Sequence, residues 1–177
     1  MKLKRIVKSV RNYRTYHRYL GLTLSLLLVI SAITGLLLGW KKNVDWLQPP
    51  SQRGISQNIA EFQPVEKLTR AAILAVDSLQ LDQSHLDRIE YRPDKGMAKV
   101  RFTEGQWEVQ VDAVNLKILS VAKRNSDWIE QLHDGSIISD TFKLISMNFL
   151  GIGLTLLILS GLWLYFGPKR IRALKAK

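Results

Sequence analysis

Three histidines, His17, His85 and His133, are the residues of this 177-residue chain best suited to chemistry near neutral pH. Imidazole transfers protons and ligates transition metals and haem iron. The usual companions of such chemistry are missing. There is no cysteine, which removes disulfides, thiolate metal sites, iron–sulfur clusters and cysteine nucleophiles. No HExxH, P-loop or nucleophile-elbow pattern occurs. His133, Asp134 and Asp140 are close in sequence, but their spacing enforces no cation geometry, so no metal site is assigned. Asp127 and Glu130 read as a solvated helix face rather than a catalytic carboxylate pair. No catalytic residue is assigned, and a non-enzymatic role is expected.

The elements that must position these histidines are announced by charge. All 15 acidic residues lie between two long uncharged runs, Leu20–Trp40 and Ile145–Phe166. Seven basic residues precede the first run and five follow the second, so the ends account for the net charge of +11. Each run is long enough, at about 1.5 Å per residue, to cross a hydrocarbon core of roughly 30 Å. Lysine and arginine beside spans stay on the cytoplasmic side, which predicts a multi-pass protein of the bacterial inner membrane with both termini cytoplasmic. The basic arm then meets anionic lipid rather than nucleic acid. Gly39-Trp40-Lys41-Lys42 is a poor cleavage site, so the first run reads as an uncleaved anchor. Pro168 is expected to end the second span. The GxxxG pair Gly35 and Gly39, with Gly161 in the second span, is expected to serve helix packing, either within the chain or in a homodimer.

Between the spans the expected organisation is a polar linker over 41–63, a folded α+β module over 64–124, and a short helix with connector over 125–144. The flanking parts are a basic arm (1–18), spans at 19–40 and 145–166, and a basic tail (167–177). Apolar residues at spacings of three and four predict a helix over 64–81. Alternation then predicts an antiparallel meander. Turns at Pro93–Gly96 and Glu104-Gly105 would set Tyr91 opposite Ala98, Ile89 opposite Val100, Val100 opposite Val109 and Arg101 opposite Glu108. A fourth strand is expected near Lys117–Ala122, and a second helix over Ser126–His133.

Three segments carry a resemblance. Tyr16-His17-Arg18-Tyr19-Leu20-Gly21 leads into an apolar run ending Ala32-Ile33-Thr34-Gly35. Trp107-Glu108-Val109-Gln110-Val111-Asp112 is followed by Lys117-Ile118-Leu119. Leu132-His133-Asp134-Gly135 precedes a run with Ser160-Gly161-Leu162-Trp163. In this order they resemble PepSY-associated transmembrane proteins, and the chain is similar to a compact two-span member with a PepSY-like domain between its spans. The resemblance implies an envelope accessory protein in iron or siderophore uptake, with a protein partner or a second copy. It also implies two alternatives: a haem b-binding subunit of a membrane ferric or siderophore reductase, and a membrane-anchored regulator of an envelope peptidase. His17 and His133 fall on the family's motif positions and His85 does not. On the predicted topology His17 and His133 lie on opposite sides of the membrane, so one chain cannot offer both to one iron, and haem ligation requires a dimer or partner.

Overall fold

The computed structural model describes residues 2–81 and 85–176. Two long helices, α1 (Lys2–Trp40) and α4 (Asp140–Lys175), are long and apolar enough to cross a membrane. Between them in sequence come α2 (Val65–Ser78), strands β1 (Leu86–Arg92), β2 (Met97–Phe102), β3 (Trp107–Asp112) and β4 (Ile118–Lys123), and α3 (Asn125–Asp134). The chain forms two compact units. One contains residues 1–35 and 130–177, and the other residues 36–129.

In the first unit α1 and α4 pack antiparallel through a seven-residue repeat. Ser146, Gly153, Ser160 and Gly167 are the buried residues of α4. Facing them, Val10 meets Gly167, His17 meets Ser160 and Leu24 meets Gly153. A seven-residue spacing keeps one seam of each helix toward its partner. The fit is close: a Cβ on Gly153 would lie 2.4 Å from Leu24 Cδ1, and one on Gly167 would lie 2.6 Å from Val10 Cγ2. Small residues supply this contact because lipid offers no hydrophobic drive between helices. Gly39 takes no part in it, since a Cβ there meets nothing within 4 Å. Pro168 does not end the helix as expected; α4 runs on to Lys175. Proline crowds the Cβ of the residue before it, and here that residue is Gly167, which has none. The lost amide bond remains as a local weakness.

The second unit is a four-stranded antiparallel meander in the order β1-β2-β3-β4. Its registers include Tyr91 opposite Ala98, Ile89 opposite Val100, Val100 opposite Val109 and Arg101 opposite Glu108, as the alternation predicts. The left-handed residues of the β2–β3 turn are Gly105 and Gln106, one position later than the expected Glu104-Gly105. One sheet face carries Ala98, Val100, Phe102, Val109 and Val111, covered by Leu68, Ala72 and Val76 of α2.

The other face corrects two expectations. Residues 41–63 are not a free linker: Leu47 is buried, Gln52 N–H donates to Gln110 Oε1 (2.7 Å), Gly54 N–H to Lys95 O (2.8 Å) and Ile55 N–H to Asp112 Oδ2 (2.9 Å). Gly54 passes so close to the β1–β2 turn that a Cβ would overlap Gly96 O, at 2.0 Å. Nor is Asp127 on a solvated face. Lys99 and Glu108 are each about 1% exposed and paired at 3.0 Å. Arg124 bridges Glu108 (2.7 Å) and Asp127 (3.1 Å), and Arg101 also pairs with Asp127. Gln110 Nε2 donates to Glu108 Oε1 (2.8 Å), so the buried carboxylate has three partners. Burial by itself pushes the Arg124 guanidinium down, but the carboxylates of Glu108 and Asp127 outweigh it and its pKa lies above the ordinary value.

Candidate functional site

The helical unit places both motif histidines against a hydroxyl-glycine pair. His17, on α1, lies one heptad from Val10 and from Leu24, which turns its ring toward α4. There His17 Nδ1 is 2.7 Å from Ser160 Oγ. The Ser160 hydroxyl is also 2.7 Å from Leu156 O and 3.0 Å from Leu157 O, one helical turn back. A hydroxyl has one proton, and the helix carbonyl takes it. Ser160 Oγ is then placed to accept from Nδ1–H of the ring. Gly161 lies under the ring edge; a Cβ there would sit 3.5 Å from His17 Cε1.

His133, in the last turn of α3, repeats the arrangement with other elements. Its Nδ1 is 2.9 Å from Thr34 Oγ1 of α1, and the Thr34 hydroxyl donates to Ile30 O at 2.6 Å. Gly35 is the glycine beside it, with Cβ-to-Cε1 space of 3.4 Å. The chain reverses immediately after the histidine at Gly135, whose φ of +83° is a left-handed conformation that favours glycine. Next to it, Asp134 pairs with Lys143 and accepts from Ser136 N–H at 2.9 Å. Burial pushes the Asp134 carboxyl up, but the Lys143 ammonium and Ser136 outweigh it and hold its pKa below the ordinary value. An apolar cleft of about 130 Å³ opens beside His133, lined by Leu27, Ile30, Phe142 and the hydroxyls of Ser31 and Ser146. Ser31 and Ser146 continue the seven-residue repeat, and two small residues in one layer leave this gap.

In both rings Nε2 has no hydrogen-bond partner among the described residues. In each case the outer contact at Nδ1 fixes the orientation of the ring and leaves Nε2 as its open nitrogen. His17 and Thr34 are 17 residues apart on one helix, roughly 25 Å at 1.5 Å per residue. The two imidazoles are thus separate stations and share no iron within one chain. His85 is exposed, and its carbonyl accepts from Thr103 N–H and Oγ1–H, each at 3.0 Å. Among the described residues no three of His, Asp or Glu converge as a metal cluster.

Of the helix-packing residues expected from sequence, Gly35 and Gly161 sit under the two imidazoles and Gly39 faces open space. The hydroxyl partners Ser160 and Thr34 were not singled out beforehand for this role. A signal existed: each precedes a glycine, as Ser160-Gly161 and Thr34-Gly35, in an otherwise apolar span.

No curated protein shows significant sequence similarity to the chain. The sequence pattern of the PepSY-associated TM region matches residues 14–177, a span that takes in both histidine stations, both membrane helices and the meander, and the chain is a membrane protein belonging to that family.

Proposed function

We propose that two copies of this chain hold haem b at two levels of a bacterial inner membrane and pass electrons across it, in the service of extracytoplasmic ferric or siderophore iron reduction. The observation that carries this reading is the repeated station: Nδ1 within hydrogen-bond distance of a hydroxyl, glycine beside the ring, Nε2 left open. The donor set fits a b-type haem, for which imidazole is an axial ligand. One chain offers one imidazole at each level, so His17 would be matched by a second His17 and His133 by a second His133. When bound, haem would supply one-electron transfer. The chain's own part is to orient each ring, through Ser160 and Thr34, in apolar surroundings that limit water. The twelve basic residues at the two ends support cytoplasmic termini, with the His133 station on the outer side. Without haem, the chain would be the non-enzymatic accessory of iron uptake that the resemblance also implies.

The test is an absorbance spectrum of detergent-purified protein from cells supplied with haem, before and after dithionite. A Soret band with a sharpened reduced α-band is expected. H17A and H133A should each lower haem per chain by about half, and H85A should leave it unchanged. A colourless protein, or a spectrum indifferent to both H17A and H133A, would overturn the reading.

A further inference from the structure

We infer that the sheet-bearing unit contains a binding site for a phosphate-type oxyanion, in a cleft formed by Lys42, Gln48, Pro49, Ser51, Arg92 and Lys95. This site stands apart from the histidine stations and does not depend on haem. Three cations line it, and no carboxylate does among the described residues. Glu90 and Asp94 are held by Arg92 at 3.1 and 3.2 Å. The Lys42 and Lys95 ammoniums make no hydrogen bond or salt bridge among the described residues, although Lys95 is close enough to Asp94 to help hold that carboxyl below its ordinary pKa. The Arg92 fork is thus occupied by carboxylates, while two ammoniums keep their hydrogen-bond donors open, which suits a compact oxyanion with several acceptor oxygens.

The walls are built before any ligand arrives. Pro50 O accepts from the buried Gln110 Nε2 at 3.0 Å, fixing the Pro49-Pro50 wall. Lys95 O accepts from Gly54 N–H at 2.8 Å, and Gly96, at φ +65°, closes the turn that presents Lys95. The volume, about 260 Å³, is below that of most drug-sized pockets and suits a headgroup-sized anion. Lys42 follows the end of α1 by two residues, so a lipid headgroup and a soluble phosphate are two sources of one chemistry.

The full-length protein is tested in two arms. In detergent, inorganic phosphate is titrated by calorimetry. In nanodiscs of phosphatidylglycerol or phosphatidylcholine, retained lipid is counted by native mass spectrometry. K42Q/K95Q is compared with K67Q/K117Q, which removes the same charge outside the cleft. Saturable phosphate binding weakened about tenfold in K42Q/K95Q alone identifies a soluble source. Phosphatidylglycerol retained by wild type and K67Q/K117Q but lost from K42Q/K95Q identifies a lipid source. If neither ligand distinguishes the two double variants, the site does not exist.

Discussion

The helix pair and the four-stranded unit both bury polar side chains, and they do so in opposite ways. In the helix pair the buried polar contacts are neutral: His17 with Ser160, His133 with Thr34, each hydroxyl also returning its proton to its own helix. In the sheet unit they are fully charged, with Lys99, Glu108, Arg124 and Asp127 joined across strands and α3. The difference follows from the solvent each region folds against. Between helices in lipid, association rests on close packing of small residues and on hydrogen bonds, and an ion near the bilayer centre is expensive. A water-facing domain can cover an ion network, provided every lone pair and proton finds a partner. Tolerance of substitution should therefore divide between the regions by chemistry: the sheet fails when charge balance is broken, the helices when volume is added.

The largest effect is expected in the sheet. E108Q keeps the side-chain shape but leaves Lys99 and Arg124 without their buried carboxylate, and should destabilise this unit by about 3–5 kcal/mol. The double variant K99M/E108L removes the most deeply buried pair together and should recover much of that loss. Chemical denaturation followed through Trp107 measures both. A loss below about 1 kcal/mol for E108Q would place the network in the class of solvated surface pairs and erase the contrast between the two regions.

Added volume probes the helices, and there two glycines of the same chain should respond with opposite sign. G153A drives a methyl group into Leu24, which is itself fully buried, and should cost about 1–3 kcal/mol. G39A adds the same methyl into open space and replaces a poor helix former, so stability should hold or rise by up to about 1 kcal/mol. Melting in detergent separates them. Equal responses would mean that the seven-residue seam is not the packing surface.

How much of this was readable beforehand follows the same division. Strand alternation depends on local periodicity, so the pairing of Ile89, Tyr91, Val100 and Val109 is legible in the sequence. The second sheet face was not legible, because Lys99, Glu108 and Asp127 carry the same signature whether water or a strap covers them. Only the tertiary path of residues 47–63 decides that. In the helices uniform apolarity conceals the facing seam. The spacing of Ser146, Gly153, Ser160 and Gly167 could have exposed it, whereas attention to Gly35 and Gly39 led to a pair of which only Gly35 faces a neighbour. His17 and His133 were visible as residues, but their hydroxyl partners are 143 and 99 positions away, and no local pattern connects them.

The smallest effect concerns a charge pair beside the His133 station. Asp134 adjoins His133 and pairs with Lys143; its side chain is 15% exposed and that of Lys143 47%, so solvent screening keeps the contribution of the pair small. Because the folded carboxyl has a lowered pKa, its contribution is complete above the ordinary aspartate range and disappears as pH falls through the depressed folded value. Wild type should therefore exceed D134N in melting temperature at neutral pH, and the difference should close on acidification below the ordinary aspartate range. Among the described residues no salt bridge adjoins His17, whose ring is set by the α1 backbone and Ser160. Ring resonances, recorded in the same titration, should then shift at His133 while His17 stays unmoved by the Asp134 transition. Equal shifts at both rings would show that the two stations are held as one body rather than by separate local contacts.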